Sequence, residues 1–204
     1  MHRRLGLDIR RAAAYIFPFM PRELSYKNFF ARDTVEVARD LLGKKLAYGN
    51  CSGVIVETEA YKEDAASHAV TRPNKGTMLR ETYGCVYIYF IYGMYHCLNF
   101  TTEKQGVGAV LIRAIEPVSG VPEMQERRSV RTMRQLTNGP GKLFLAFGLD
   151  PALHGEEVGR TIKLEPCRDA GAFEIGESRR IGISKAKGLE WRFFVKENEF
   201  LSKR

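Results

Sequence analysis

The chain has 204 residues, of which 44% are hydrophobic, and this content suits a single domain with a sizeable core. Its formal net charge of +8 at pH 7 points first to nucleic acid and second to an anionic membrane surface as the partner. No apolar run approaches the roughly 20 residues of a membrane helix, so we exclude a membrane-spanning protein.

The four cysteines form no CxxC pair and no short Cys/His spacing of the kind that zinc requires. We therefore expect no metal site. Three of the cysteines stand in apolar, strand-like surroundings, where a free thiol behaves as a small hydrophobe. This usage indicates a reducing compartment rather than a secreted disulfide scaffold.

The N-terminus superficially resembles a signal peptide, because arginines precede an apolar run at residues 12–17. Pro18 and Pro21 interrupt that pattern, and no small-x-small cleavage site follows. We interpret residues 1–23 as a short N-terminal extension and residues 24–204 as one domain.

The first predicted element is a helix from the capping-box-like Asp33 to a glycine C-cap at Gly43, with apolar residues at helical spacing between them. Residues 45–61 then predict a β-hairpin that turns at a Gly-Asn pair. Residues 62–82 are polar and interrupted by proline and glycine, so we predict a long loop, which in a compact domain is usually functional or disordered.

The second strand of this hairpin, residues 54–61, carries two carboxylates on one face. Glu57, Glu59 and Tyr61 share one parity of the alternation, while the other parity is mainly apolar. Buried carboxylates need partners, so this face is either a functional site or the solvated side of an edge strand. The alternation alone leaves both interpretations open.

Residues 84–100 are dense in aromatic and β-branched side chains and predict two strands that turn at Gly93. Tyr87 and Tyr89 share one face of the first strand. The opposite face, predicted to lie in the core, consists of Val86, Ile88 and Phe90.

Residues 109–117 predict a further strand, in which Arg113 interrupts an apolar run. A charged side chain is seldom buried unpaired, so Arg113 should face a carboxylate, a ligand or solvent. Three short strands are predicted near the C-terminus, at residues 161–164, 180–184 and 191–195.

Residues 122–136 predict a strongly basic helix, which is either a solvated face or a surface that follows phosphates. The next segment, with Gly139, Gly141 and Lys142, leads into a helix whose first turn suits Pro140. Backbone N–H groups at such a start, with Lys142 beside them, can hold a phosphate. An ordinary helix cap explains the same pattern equally well.

Several of these segments together resemble the alkyladenine (3-methyladenine) DNA glycosylases of base-excision repair, and the similarity runs from about Glu23 to the C-terminus. Several long motifs in one order are far more specific than any single motif. They are VETEAY (56–61) followed by ASH (66–68), YIYFIYGMYHCLN (87–99), LIRAIEP (111–117), NGPGKL (138–143) and RIGISKA (180–186).

The resemblance implies a compact α+β domain built on a curved, mainly antiparallel sheet with flanking helices. It also implies a monofunctional DNA glycosylase that flips an alkylated or deaminated purine out of the duplex, hydrolyses its N-glycosidic bond and leaves an abasic site. The expected partner is double-stranded DNA that contains damaged purines. We expect no cofactor, a monomer, and an intracellular location, with the nucleoid of a bacterial cytoplasm or a eukaryotic nucleus as the alternatives.

The resemblance also implies residue roles. Glu59 corresponds to the general base that activates water, and Arg113 and the backbone near Ile181 help to hold that water. The pocket that receives the extruded base would be formed by Tyr61, His68, Tyr89 and Asn99, the last of which screens against normal guanine. Tyr92 corresponds to the wedge that fills the gap in the duplex. Together with the helix start described above, this makes Tyr92, Gly139, Gly141 and Lys142 the candidate DNA-binding residues.

Two other functions remain open from the sequence. A carbohydrate hydrolase could pair Glu57 with Glu59, although side-by-side carboxylates on one strand do not flank a bond as that mechanism requires. A non-enzymatic nucleic-acid binder would need the same basic surface and stacking tyrosines. The preferred lesion stays open among 3-methyladenine, 7-methylguanine, hypoxanthine and ethenoadenine.

Overall fold

The computed structural model of the chain describes residues 26–91, 93–166 and 173–203, without the side chains of residues 73 and 75. The predicted N-terminal extension, residues 1–23, lies outside the described residues. The α-helices are α1 (Tyr26–Phe30), α2 (Thr34–Leu41), α3 (His68–Thr71), α4 (Pro73–Glu81), α5 (Val121–Arg128) and α6 (Pro140–Phe147), and two 3₁₀ turns span Met133–Gln135 and Pro151–Leu153. The strands are β1 (Lys44–Tyr48), β2 (Cys51–Tyr61), β3 (Val86–Ile91), β4 (Tyr95–Thr102), β5 (Gly108–Ser119), β6 (Lys163–Pro166), β7 (Ile175–Ser178) and β8 (Arg192–Val195).

The strands form one sheet in the order β3-β4-β5-β2-β1-β6, and each pairing is antiparallel. Strand β2 is central: β5 lies along one side of it, and β1 and then β8 pair with successive parts of the other side. Strand β7 pairs with β8. The predicted α+β class with a mainly antiparallel sheet is confirmed.

The main core lies between the sheet and the helices that pack on it. Helix α2 packs on β2 and β5, and α6 packs on β4 and β5. The largest side chains that are fully buried in this core are Phe30, Leu41, Leu46, Phe100, Ile112, Phe147 and Phe193. This packing fixes β2, β4 and β5, the three strands that carry most of the candidate site. No helix among the described residues is long and apolar enough to span a bilayer.

Helix α2 and the hairpin β1–β2 form where the sequence predicts them. The Asp33 carboxylate caps α2 by accepting hydrogen bonds from the backbone N–H groups of Val35 and Glu36, at 2.8 and 3.3 Å. Gly43 follows the last turn with φ of +74°, a conformation that glycine adopts without steric cost.

The prediction of a long loop at residues 62–82 is wrong, because this segment contains α3 and α4. The Ser67 hydroxyl caps α3 through the N–H of Ala69, and Pro73 occupies the first turn of α4. A Cβ on Gly76 would lie 2.6 Å from the Ala69 Cα, so glycine is what allows the two short helices to pack together.

Two predictions for the second half of the chain also differ from the structure. The basic helix predicted to reach residue 136 ends at Arg128, because Ser129 adopts a left-handed conformation with φ of +52°. The strand predicted at residues 180–184 is irregular, and the nearby strand is β7 instead. The other two predicted strands are present as β6 and β8, with small shifts in their bounds.

Candidate active site

The central strand β2 presents two buried carboxylates to one side of the sheet. Glu57 and Glu59 are both 0% exposed, and the Arg113 guanidinium on the neighbouring β5 contacts each of them, at 3.1 and 3.3 Å. Of the three predicted alternatives for Arg113, which were a carboxylate, a ligand or solvent, the structure shows the carboxylate. The interpretation of β2 as an edge strand with a solvated face is wrong, because β5 pairs with one side of β2 and both β1 and β8 pair with parts of the other, and Glu57 and Glu59 are buried.

The Glu59 carboxylate has three donors. The Ile181 N–H donates to Oε1 at 2.6 Å, the Tyr61 hydroxyl donates to Oε2 at 2.8 Å, and the Arg113 Nη1 lies 3.3 Å from Oε2. Burial raises the pKa of Glu59 above that of an ordinary carboxyl group, and Arg113, Ile181 and Tyr61 partly oppose this increase. Glu59 is therefore a more basic carboxylate than one in solvent.

The Glu57 carboxylate accepts four hydrogen bonds. Two come from arginines, namely Arg113 Nε at 3.1 Å and Arg192 Nε at 2.7 Å. The other two come from Ser202, near the C-terminus, whose N–H and hydroxyl donate at 2.6 and 2.8 Å. These donors leave Glu57 tied into the protein rather than facing the cavity.

A cavity of about 720 Å³ is large enough to receive a purine base. Glu59 does not line it, but Tyr61, Arg113 and Ile181, which contact the Glu59 carboxylate, do. Its walls come from β2, β3, β4, β5, α3, the start of α6 and residues 181–185. The predicted site residues that line it are Tyr61, His68, Tyr89, Asn99, Arg113, Gly139, Gly141, Lys142 and Ile181. The structure therefore brings these residues of distant motifs to one place.

One wall of the cavity is a cluster of aromatic rings. His68 and Tyr89 meet edge to face with ring centroids 4.5 Å apart, and Tyr87 lies 6.0 Å from Tyr89. The His68 Nδ1 atom is 2.8 Å from the Tyr87 hydroxyl. Burial raises the pKa of Tyr87 to about 12, so this phenol stays protonated at neutral pH and orients the histidine ring.

The sequence analysis did not include Tyr87 among the pocket residues. Its shared parity with Tyr89 on β3 was the available signal, since same-face neighbours on a strand line the same cavity. Asn99 lies opposite Tyr87 on β4, and its amide Nδ2 donates to the carbonyl groups of Tyr87 and Cys97 at 3.0 and 3.2 Å. These two bonds fix the orientation of the Asn99 side chain in the cavity wall.

The tip of the β3–β4 hairpin is apolar and exposed. Phe90 was predicted to lie in the core, but it is 46% exposed and packs on His96 at a ring distance of 4.8 Å. Met94 and Tyr95 are also exposed, at 64% and 47%. The core prediction fails here because burial decreases along this face of β3 toward the hairpin tip, from Val86 at 1% and Ile88 at 7% to Phe90. Tyr92, the predicted wedge, lies outside the described residues.

The start of α6 lies at the mouth of the cavity. Gly139 precedes Pro140 without a side-chain cap, and the Lys142 ammonium donates to the Asn138 side chain at 2.8 Å. The predicted first-turn position of Pro140 is confirmed. Besides Arg113, four cations line the cavity, namely Arg72, Arg128, Lys142 and Lys185.

Three basic side chains from the segment predicted as a cationic helix donate to backbone carbonyl groups. Arg127 donates to Ala146, Arg128 to Leu136 and Arg134 to Glu199, at 3.0, 3.3 and 2.9 Å. These side chains therefore help to hold the fold. Of the three, only Arg128 also lines the cavity.

Arg180, which precedes Ile181, joins two walls of the site. Its side chain is fully buried and donates to both carboxylate oxygens of Asp64, at 2.8 and 3.0 Å, and to the Ala60 carbonyl at 3.0 Å. The guanidinium also packs over the rings of Tyr61 and Trp191, 4.6 and 5.3 Å from their centroids. The motifs and the side-chain periodicity did not predict these contacts of Arg180, which we call the Arg180 clamp. Among the described residues, no group of three or more His, Cys, Asp or Glu side chains could hold a metal ion.

Comparison with known proteins agrees with this arrangement. The family model described as methylpurine-DNA glycosylase matches residues 28–199. A Clostridium perfringens (strain 13) protein named "Putative 3-methyladenine DNA glycosylase" is 42% identical over 202 residues, with 87% of this chain and 98% of that protein covered. A protein of the same name from Rhizobium johnstonii is 43% identical, with 88% and 89% covered. The chain therefore belongs to the methylpurine-DNA glycosylase family and is an enzyme of the DNA-3-methyladenine glycosylase type, a hydrolase of N-glycosyl bonds.

Proposed function

We propose that this enzyme acts as a monomer that flips an alkylated or deaminated purine out of duplex DNA into the 720 Å³ cavity. It then hydrolyses the N-glycosidic bond with water and leaves an abasic site. The observation that carries this proposal is the buried Glu59 carboxylate beside a cavity walled by aromatic rings.

In the proposed reaction Glu59 takes a proton from water, and the water oxygen bonds to the anomeric carbon of the sugar. The N-glycosidic bond breaks with its electron pair leaving on the base, which for a cationic alkylated purine yields a neutral leaving group. The transition state resembles an oxocarbenium ion, so the nearby carboxylate also stabilises it electrostatically. Arg113 and the backbone at Ile181, both in contact with Glu59, would hold the water.

The aromatic wall supports the flipping step. Taking a base out of the stack costs a few kcal/mol, and each base–aromatic contact returns about 1–3 kcal/mol. The rings of Tyr61, His68 and Tyr89 line the cavity, so two or three contacts can offset the cost. Asn99, held by two backbone carbonyl groups, would exclude guanine by occupying the space that its exocyclic amino group needs.

A carbohydrate hydrolase with paired acids receives no support from the site. Glu57 accepts four hydrogen bonds from within the protein and cannot act as the partner acid across a glycosidic bond. The cationic groups at the cavity mouth would favour a polyanion and do nothing for a neutral sugar.

The direct test is release of free bases from methylated duplex DNA. We expect methylated purines to be released while the sugar–phosphate strand stays intact until alkali is added. Duplexes that each contain one defined lesion then establish which bases are preferred. A lesion duplex that never breaks on alkali treatment after incubation with the enzyme would contradict the proposal.

The proposed nucleophile is water, so the enzyme should be monofunctional. Strands β2, β3, β4 and β5 contain no lysine that could form a Schiff base, and the two lysines that line the cavity, Lys142 and Lys185, lie outside these strands. We expect no covalent protein–DNA adduct when borohydride is added during the reaction. A trapped adduct on a denaturing gel would overturn the water mechanism, and a bifunctional glycosylase assayed in parallel provides the positive control.

The start of α6 is proposed to grip DNA phosphates through Gly139, Gly141 and Lys142. Binding to undamaged duplex should then fall by roughly 0.9 log units per tenfold increase in salt for each phosphate neutralised. Lys142→Ala should flatten this slope by about one contact and weaken damaged and undamaged DNA alike, because phosphate contacts carry no base information. Titrations at several salt concentrations measure the slope.

His68→Ala is the matched control for this experiment. His68 lies in the aromatic wall, so its substitution should alter lesion preference and leave the salt slope unchanged. A Lys142→Ala protein with the slope of the wild type would mean that Lys142 lies off the DNA and that this segment is an ordinary helix cap.

A further inference from the structure

We propose that Glu57 and Ser202 are positioning residues for the reaction. They accept hydrogen bonds from two nitrogen atoms of the Arg113 guanidinium, Nε and Nη2, and so limit its contact with Glu59 to the third nitrogen, Nη1. This inference rests on the proposed role of Glu59 as the base. It assigns a function to Glu57, the motif carboxylate to which the resemblance gives no role, and to Ser202, which lies outside the motifs and does not line the cavity.

The Arg113 guanidinium is shared among three partners, namely Glu57, Ser202 and Glu59. Its Nε donates to Glu57 at 3.1 Å, its Nη2 donates to the Ser202 hydroxyl at 3.3 Å, and its Nη1 lies 3.3 Å from the Glu59 carboxylate. A direct arginine–carboxylate bond is usually about 2.7–2.9 Å and is often bidentate. The contact with Glu59 is therefore long and single, although both groups are buried.

Glu57 and Ser202 are held in place by the residues around them. Phe200 and Leu201 pack against Val56 and Ala114 in a small cluster of buried side chains beneath the sheet. Arg192 on β8 bonds to Glu57 and also donates to the Lys203 carbonyl at 2.8 Å. The segment 200–203 is thus anchored on both sides of Ser202, and this holds the Ser202 hydroxyl within hydrogen-bond distance of the Arg113 guanidinium.

The sharing of Arg113 affects the basicity of Glu59. An arginine that is free to form a bidentate pair with a carboxylate stabilises its charged form, and a more stabilised carboxylate is a weaker base. The negative charge of Glu57 acts in the opposite direction and favours the protonated form of Glu59. By occupying Arg113, Glu57 and Ser202 keep Glu59 basic and leave it room for water.

Other groups face Glu59 and enter its titration, but substitution of Ser202 removes a direct contact of only one of them, Arg113. They are Tyr61 on the same strand, Tyr89 on β3, Cys97 on β4, Arg113 on β5, Arg192 opposite on β8 and the Ile181 N–H. A change in the pH dependence of Ser202→Ala therefore reports the arrangement of Arg113.

The test uses single-turnover release of bases from methylated duplex DNA by the full chain, measured as a function of pH. We expect Ser202→Ala to lower the rate about tenfold, the usual scale for losing one hydrogen bond to a charged group. The acidic limb of its pH profile should move to lower pH, because Arg113 then pairs more closely with Glu59. Ser202→Thr, which keeps the hydroxyl, should restore both the rate and the limb.

Ser178→Ala is the matched control. The Ser178 hydroxyl accepts from Arg192 Nη1 at 2.9 Å, so this variant alters the same network without touching Arg113, and its profile should match the wild type. Glu57→Gln should shift the limb in the same direction as Ser202→Ala. If Glu57→Gln fails to fold, because it leaves two buried arginines poorly paired, Ser202→Ala still decides the question.

The outcomes separate the two proposals. A wild-type enzyme that releases no methylated base would refute the proposed function itself. A wild-type enzyme that releases bases, with a Ser202→Ala variant of equal rate and unchanged acidic limb, would overturn the positioning role alone. A Ser202→Ala variant that loses thermal stability but keeps the wild-type limb would also overturn it, since Ser202 would then serve only the fold.

Discussion

Replacing Glu59 by glutamine should reduce single-turnover base release by about 10²–10⁴-fold while leaving the affinity for lesion-containing duplex close to that of the wild type. Glutamine keeps the shape of the side chain and can still accept the bond from the Ile181 N–H. A neutral amide cannot take a proton from water, so the loss should fall on the chemical step alone.

The comparison that makes this prediction specific is Glu57→Gln, two residues along the same strand. Glu57 accepts four hydrogen bonds from Arg113, Arg192 and Ser202, which leave it less able than Glu59 to take a proton from water, so its substitution should cost much less activity. Quenched-flow or gel assays with excess enzyme give the chemical rate, and gel-shift titrations give the affinity. Reversed effects of the two variants would mean that Glu57 is the base and Glu59 is the supporting carboxylate.

The pH dependence of the wild type gives an independent check. A general base must be ionised, so the rate should fall as pH drops through the pKa of Glu59. Burial holds that pKa above the usual value of a carboxyl group, against the opposing effects of Arg113, Ile181 and Tyr61. Tyr61→Phe removes a donor to the charged form, so its acidic limb should lie at higher pH than that of the wild type.

The alternation of side chains on β2 and β3 was enough to predict which residues share a face, because the period of a strand is local. It placed Glu57, Glu59 and Tyr61 on one side, and it placed Tyr87 with Tyr89. The same alternation misassigned Phe90, since parity gives the face of a residue but not whether a helix covers that end of the sheet. The short helices α3 and α4 were missed because single caps and a tight glycine contact define them, rather than a long apolar period.

The supporting contacts of the site could not be predicted from local pattern at all. Ser202 and Glu57 are 145 residues apart in the chain, and Arg180 and Asp64 are 116 apart. Arg180 and Asp64 both lie in irregular segments, and Ser202 lies near the end of the chain, so no periodicity of side chains indicates these contacts. The resemblance to a family supplied the groups proposed to touch the base, but it carried no information about the residues that hold those groups.

The Arg180 clamp leads to the second large expected effect, this time on stability. Arg180→Leu should lower the free energy of unfolding by about 3–5 kcal/mol, the usual cost of removing one partner from a buried ion pair. It removes this donor from the Ala60 carbonyl and leaves the Asp64 carboxylate with only the backbone N–H groups of Lys62 and Ala66. For a chain of this size each kcal/mol corresponds to roughly 2–4 °C in melting temperature, so calorimetry should resolve the change easily.

Arg179→Leu is the matched control, because Arg179 is the exposed neighbour of Arg180, and a surface substitution should stay within about 0.5 kcal/mol. The double variant Asp64→Asn, Arg180→Leu should regain part of the loss, since no buried carboxylate is then left unpaired.

Burial raises the pKa of Asp64, but the bonds from Arg180 and from backbone N–H groups outweigh it and hold that pKa below the usual value. The stabilisation from this pair should therefore be present above the ordinary pKa of an aspartate and be lost as pH falls through the depressed value. Since Ile181 follows Arg180 and binds Glu59 directly, Arg180→Leu should also slow base release. An Arg180→Leu protein as stable as Arg179→Leu would show that the clamp contributes nothing to the fold.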